Sequence, residues 1–140
     1  MEATWFVVAD RSGAHVYEVE GSKLHPTLRP LESLQESAPG VVTEAPTESS
    51  SHQQMLDPTG AVAEKDRRFV RSLVDHLTQA QRRRAFSRLV IAAPAELVGH
   101  IRDISSRTLA RSVHREIIGD YTNDTPRALQ ERVRRRRWLD

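Results

Sequence analysis

Three arginines, Arg67, Arg68 and Arg71, are the residues of this chain whose type and spacing best fit a chemical role. They span just over one turn of a predicted amphipathic helix that begins near Glu64. A guanidinium group is a planar fork of hydrogen-bond donors that matches a phosphate group, so three of them could bind a nucleic-acid backbone. A helix face that carries charge only because it faces solvent explains the same pattern equally well.

The basic helix follows a long polar segment, residues 37–63, with few aliphatic residues, three prolines and a run of three serines. Loops longer than about 12–15 residues in a compact domain are usually functional or disordered. We therefore predict a long flexible loop directly before the basic helix. His52 follows the serines, but no glycine elbow surrounds them, so a serine nucleophile has no support.

Metal-binding patterns are weak in this sequence. A ribonuclease H-type nuclease needs clustered carboxylates that hold two metal ions, and Asp10 ends the first predicted strand. The fourth predicted strand ends in Ala92-Ala93-Pro94 without a carboxylate, and Asp66 and Asp120 have no supporting motif. Asp10 fits better as the first residue of a turn, and the six histidines form no HxxxH or HExxH pair. We expect no metal and no cofactor.

A second basic run, Arg134 to Arg137, precedes Trp138 near the end of the sequence. Guanidinium groups beside an aromatic ring could contact phosphates while the ring stacks on a base. The alternative, which we favour, is a helix end whose positive charges suit the helix dipole and whose tryptophan packs on the core.

Length and composition indicate one domain, residues 1–140, that is long enough to bury a hydrophobic core. The chain has no cysteine, which excludes disulfides, zinc–thiolate sites and cysteine nucleophiles. We find neither a secretory signal pattern nor an apolar run that approaches the roughly 18 residues of a membrane span. We therefore expect a cytoplasmic location.

The net charge of +2 hides an asymmetry between the two halves of the chain. Residues 1–60 carry a net charge of −6 and residues 61–140 a net charge of +8, and nineteen of the twenty-one basic residues are arginine. A basic half fits a nucleic-acid partner. A GC-rich genome, which replaces lysine by arginine throughout, and ordinary solvated helix faces explain the bias equally well.

The spacing of apolar residues predicts the element order β-β-β-loop-α-β-α-β-α. Strands are predicted over 4–9, 14–20, part of 28–36, 88–93 and 113–120, and helices over about 64–85, from Pro94 and from Thr125. The predicted buried residues of the helices are Phe69, Val70, Leu73, Val74 and Leu77, then Leu97, Val98, Ile101 and Ile104, then Leu129 and Val133.

Antiparallel hairpins followed by βα units predict an α/β fold with a mixed sheet of about five strands, in the order of the ribonuclease H-like topology. Gly99 lies inside a helical pattern, where close packing against a neighbour is the expected reason for a glycine.

Three segments together resemble a known family: TWFVVADRSGAHVYEV (4–19), RLVIAAPAELVGHIRDI (88–104) and EIIGDYT (116–122). Over nearly its whole length the chain resembles the bacterial host attachment proteins, which are described as required for attachment to host cells. That family is in turn similar to the middle domain of archaeal and eukaryotic class-one peptide release factors. The resemblance implies a ribonuclease H-like α/β fold, in agreement with the predicted element order.

In the release-factor domain, a Gly-Gly-Gln loop precedes a basic-aromatic helix and helps water attack the peptidyl-tRNA ester. The resemblance implies that Gln54 corresponds to that glutamine, and the basic-aromatic helix start is retained in Arg67-Arg68-Phe69. His52 and Gln53 stand before Gln54, at the positions where the release-factor domain has its two glycines. Glycines would allow a positive φ and present an N–H to the ester, so their replacement argues against catalysis.

We therefore expect a module that binds tRNA or ribosomal RNA in translation termination or ribosome rescue, with the ribosome or tRNA as partner and no membrane. The expected nucleic-acid-binding residues are Arg11, His52, Gln53, Arg67, Arg68 and Arg71. Two alternatives stay open: a peptidyl-tRNA hydrolase with Gln54 as its catalytic residue, and a non-catalytic protein-interaction factor linked to host attachment.

Overall fold

The computed structural model describes the backbone of residues 3–35 and 58–140, and the side chains of these residues apart from 58–63. The strands are β1 (Thr4–Asp10), β2 (Gly13–Gly21), β3 (Pro26–Gln35), β4 (Arg88–Ala93) and β5 (Val113–Ile118). The helices of the described ranges are α1 (Pro58–Arg82), α2 (Ala95–Ile104), α3 (Arg107–Ser112) and α4 (Pro126–Arg135). Residues 37–57 of the predicted loop lie outside the described residues.

The five strands form one mixed sheet with the order β3-β2-β1-β4-β5. β2 runs antiparallel to both of its neighbours, whereas β1, β4 and β5 run parallel to one another. The predicted α/β class with a mixed sheet of about five strands is confirmed. β1 lies at the centre of the sheet, between a hairpin partner and a parallel partner.

Both faces of β1 are apolar, and alternate side chains enter two separate cores. Trp5, Val7 and Ala9 join the core under α1, α2 and α3. Phe6 and Val8 join the opposite core, under α4. The period of two along the strand thus requires a helix layer on each side of the sheet.

Helix α1 begins at Pro58, six residues before the predicted start, so the prediction that the loop extends to residue 63 was wrong. Proline is well tolerated at the first position of a helix, where its missing N–H is not needed, and Ala61 and Ala63 favour a helix. The first six residues of the helix were not predicted, because they lie at the end of a polar segment and include Gly60, which disfavours a helix. All five residues of the predicted inward face are buried: Phe69, Val70, Leu73, Val74 and Leu77.

The two arginine-rich helices end in the same left-handed turn. Arg84 has φ 63° and Arg137 has φ 55°. The N–H of the next residue then donates to a carbonyl five positions back, from Ala85 to Ala80 at 2.9 Å and from Trp138 to Val133 at 3.1 Å. This is the Schellman arrangement, in which glycine is the usual left-handed residue. The turn after α4 directs Trp138 into the core.

Trp138 is 5% exposed and packs against Phe6 and Tyr121, with ring centroids 5.9 Å and 5.3 Å away. The prediction that the tryptophan after the second basic run packs on the core is therefore confirmed. Arg134 and Arg135 each lie within 4 Å of Glu131 of the same helix, at 2.9 Å and 3.8 Å.

Arg84→Gly is expected to raise the free energy of unfolding by about 1 kcal/mol, because glycine adopts the left-handed conformation without a Cβ penalty. Urea unfolding followed by circular dichroism measures the change. Arg83→Gly is the matched control, since Arg83 does not have a positive φ. It should lower stability; equal effects of the two substitutions would contradict this account of the turn.

The region between β4 and β5 differs most from the prediction. Leu109, which the sequence pattern placed in a connection, is buried in the short helix α3, and the hydroxyl of Ser106 accepts the Leu109 N–H at 3.1 Å.

Ile104 is 44% exposed, so its placement in the buried stripe of α2 was wrong; the helix ends at this residue. Pro94 is the N-cap of α2 rather than a residue of its first turn, and β5 ends at Ile118.

The predicted reason for Gly99 was also wrong. A Cβ built on Gly99 would meet no atom within 4 Å, so no neighbour requires a glycine there. By contrast, Gly21 has φ +82°, and a Cβ on it would lie 2.5 Å from the carbonyl oxygen of His25. The turn after β2 therefore does require its glycine.

Gly99→Ala is expected to raise the free energy of unfolding by about 0.5–1 kcal/mol, because alanine loses less conformational entropy in a helix. Gly21→Ala, the control, should lower it by about 1–3 kcal/mol through backbone strain. Thermal and urea unfolding of the two variants measure both effects. A destabilised Gly99→Ala variant would show that the methyl group meets a neighbour after all.

Candidate nucleic-acid interface

The carboxyl ends of the parallel strands β1, β4 and β5 meet at one edge of the sheet, which is where α/β folds usually place their sites. An open depression of about 290 Å³ lies at this edge and is lined by Asp10, Arg11, Ser12, Pro94 and Asp120. The hairpin turn after β1, the start of α2 and the segment after β5 therefore converge here.

Asp10 organises this edge through hydrogen bonds. Its Oδ1 accepts the N–H of Ser12 at 2.8 Å, the hydroxyl of Ser12 at 2.9 Å and the N–H of Gly13 at 3.0 Å. Its Oδ2 accepts the hydroxyl of Thr122 at 2.7 Å, which ties the segment after β5 to the hairpin. Burial alone would raise the pKa of Asp10, but these hydrogen bonds together hold it below its ordinary value. The predicted turn role of Asp10 is confirmed.

Acidification below about pH 4 is expected to destabilise the protein through Asp10. The unfolded chain binds a proton on this carboxyl at a higher pH than the folded chain does, because the folded pKa is lowered. The contribution is therefore present above the unfolded pKa and is lost as the pH falls through the folded pKa. Asp10→Asn should flatten the acid limb of the stability–pH curve, measured by urea unfolding at a series of acidic pH values.

Asp75→Asn is the matched control for this series, since Asp75 is exposed and accepts no hydrogen bond from the described residues. Its curve should keep the acid limb of the unchanged protein. An acid limb that persists in Asp10→Asn would show that other carboxylates set the acid stability.

Arg11 joins the hairpin turn to two helices. Its guanidinium donates to Glu96 of α2 and lies 3.5 Å from Oδ2 of Asp66 on α1. The bond to Glu96, and after it the charge of Asp66, raise the pKa of Arg11. Asp66 is only 6% exposed, so Arg11 supplies the positive charge that a buried carboxylate needs. A contact between Arg11 and nucleic acid stays a prediction.

The inward position of Asp66 determines where the candidate arginines point. Since Asp66 and Phe69 face the sheet, Arg67, Arg68 and Arg71 lie on the outward side of α1, and all three are exposed. Within the part of the chain that the structure describes, no carboxylate lies within 4 Å of these three guanidiniums. The other predicted site residues, His52, Gln53 and Gln54, lie outside the described residues.

The sequence prediction overlooked Glu96 and Thr122 at this edge, and it considered Asp66 only as a possible metal ligand, without its burial or its contact with Arg11. Asp66 precedes Phe69, Val70 and Leu73 by three, four and seven positions, a spacing that places it on the buried stripe and could have revealed it. Glu96 and Thr122 carry no comparable signal, because their partners are far away in the sequence. Among the described residues, no three histidine, aspartate or glutamate side chains are grouped so that they could hold a metal ion.

The fold and this edge thus define a small α/β protein of ribonuclease H-like topology with an exposed arginine cluster on α1. Residues 5–133 match the family described as "Protein required for attachment to host cells", and the chain belongs to that family. No curated protein matches the sequence.

Two solved structures are similar to the chain at low identity. One is an archaeal translation termination factor, at 10% identity and a TM-score of 0.47, with 84% of this chain and 30% of that chain covered. The other is described only as an archaeal protein, at 11% identity and a TM-score of 0.47, with 96% of this chain and 36% of that chain covered. The chain thus spans about a third of the length of either one. In the described ranges, no helix has the length and apolarity that a membrane crossing requires.

Proposed function

We propose that this protein is a single-domain RNA-binding module that contacts tRNA or ribosomal RNA through Arg67, Arg68 and Arg71, in translation termination or ribosome rescue. The observation that supports this most directly is the exposure, on one helical stretch, of three guanidiniums that no described carboxylate approaches within 4 Å. Work on such partners would place the protein in the cytoplasm.

The chemistry of the cluster fits the phosphate groups of a nucleic-acid backbone. Guanidinium groups bind phosphate oxygens in pairs, and a rigid helix holds several of them at fixed spacing. Phosphate contacts position a protein on RNA without reading its sequence. A module of this kind would recognise the shape and charge of a structured RNA, and its affinity would depend strongly on salt.

The family description refers to attachment to host cells. Under this proposal, the protein would act on attachment indirectly, through control of protein synthesis. A direct protein-interaction role is the second candidate, and it rests on that description alone. Affinity purification from cells separates the two, because recovery of proteins without RNA would favour the protein-interaction role.

Binding to tRNA and co-sedimentation with ribosomes are expected to weaken as the salt concentration rises. The variant Arg67/Arg68/Arg71→Ala should reduce the slope of log affinity against log salt by about two to three, roughly one per lost phosphate contact. Fluorescence titration with labelled tRNA across a salt series measures the slope. All three side chains are exposed, so the variant should keep the stability of the unchanged protein.

The matched control is Arg134/Arg135/Arg136→Ala, which removes the same charge from α4 and its end. Two of these arginines already lie near Glu131, and the control should leave the salt slope nearly unchanged. Equal losses in the two variants would show that net charge alone causes binding. Absence of RNA binding even at low salt would refute the proposal.

A further inference from the structure

The outward face of α1 continues beyond the proposed contact. Arg82 and Arg83 end the helix and are exposed. At 3.6 residues per turn, Arg67, Arg71 and Arg82 lie within about 60° of one another around the helix axis. Arg68 and Arg83 fall on the same half of the helix, opposite the stripe that faces the sheet. The two ends of one face therefore both carry arginine.

Helix α3 brings further arginines to the second end. The side-chain amide of Gln81 donates to the carbonyl oxygen of Thr108 at 3.2 Å, so the end of α1 lies against α3. Arg107 and Arg111 of α3 are exposed. We name Arg82, Arg83, Arg107 and Arg111 the distal cluster, and Arg67, Arg68 and Arg71 the proximal cluster.

The arginines of these two clusters differ from seven of the other twelve arginines in the described ranges, which each lie within 4 Å of a carboxylate. Arg29, Arg102 and Arg132, on β3, α2 and α4, each donate to a carboxylate of a neighbouring strand, helix or turn. None of the seven cluster arginines lies within 4 Å of a described carboxylate. No described carboxylate thus forms a direct ion pair with an arginine of these two clusters.

The distance between the clusters fits a polymer rather than a small anion. From Arg67 to Arg83 the helix rises about 24 Å, at about 1.5 Å per residue. Ser72, Asp75 and Gln79 are the exposed residues between them, and Asp75 is the acid midway along the face. A single phosphate cannot reach both clusters, whereas a nucleic-acid backbone can.

A membrane surface fits this face less well than RNA does. Helices that lie on membranes insert large apolar side chains beside their basic residues. The exposed large apolar residues of the described chain are Leu24, Ile104 and Ile118, and none of them belongs to α1 or α3.

We propose that the outward face of α1 and the adjoining α3 form one continuous track for an RNA backbone, so that both clusters contact the same molecule. This inference rests on the proposed function and extends it. It assigns to Arg82, Arg83, Arg107 and Arg111 a phosphate-binding role, and it makes Asp75 an unfavourable charge in the middle of the track.

The test compares four variants with labelled tRNA across a salt series. Arg82/Arg83/Arg111→Ala should reduce the salt slope by about two to three, as the proximal triple variant does. Arg84 is left unchanged because its left-handed backbone affects stability. Asp75→Asn should raise the affinity by roughly two- to fivefold, the range that one exposed charge contact produces. Asp103→Asn, an exposed acid on α2, should leave the affinity unchanged.

The outcomes separate this inference from the function on which it rests. If the proximal variant loses binding while the distal variant and Asp75→Asn behave as the unchanged protein, the track is refuted and the proposed function stands. If the unchanged protein binds no tRNA at low salt, both fail. Binding to phosphatidylserine vesicles without tRNA binding would replace the RNA track by a membrane surface. Urea unfolding of each variant confirms that its fold is retained.

Discussion

The burial of β1 on both faces is the constraint from which the rest of this structure follows. From Trp5 to Ala9, no side chain is more than 5% exposed. An apolar strand of this kind is stable only if helices cover the sheet on both sides, and α1, α2, α3 and α4 do so. Polar chemistry is thereby confined to the ends of the strands and the outward faces of the helices.

The same constraint explains the buried charge at the edge of the sheet. A carboxylate on the inward side of α1 would cost several kcal/mol without a partner. Asp66 lies where α1 passes the end of β1, and there the first residue of the hairpin turn, Arg11, can reach it. A rotation of α1 that exposed Asp66 would turn the adjacent arginines toward the sheet. The ion pair therefore adds to the burial of Phe69, Val70 and Leu73, which opposes that rotation and keeps the arginines outward.

Sequence patterns predicted the parts of this fold that repeat locally. The strands, their order and the inward stripe of α1 follow from apolar spacing, and Thr125 caps α4 as expected, since its hydroxyl accepts the Ala128 N–H. Helix α3 was not predicted, because one buried leucine in six residues gives no periodic pattern of apolar residues. The contacts of the site could not be predicted, because Arg11 and Asp66 are far apart in the sequence, as are Asp10 and Thr122. A local sequence pattern does not indicate which distant residues will be in contact.

From the sequence alone, a GC-rich genome and a nucleic-acid-binding function explain the arginine content equally well. They differ in what they predict about where the arginines lie relative to acidic residues. A GC-rich genome replaces lysine by arginine, but it does not determine which arginines receive an acidic partner. Like charges four positions apart on a helix repel by about 0.2–0.5 kcal/mol, and Arg67 with Arg71 and Arg107 with Arg111 have this spacing. On α4, Glu131 lies beside Arg134 and Arg135 and offsets such repulsion. Glu64 precedes Arg67 and Arg68 by the same three and four positions, yet no ion pair within 4 Å joins it to either one in the described ranges. The contrast between α1 and α4 is therefore one of side-chain pairing rather than of composition, and the proposed anionic partner would supply the pairing that α1 lacks.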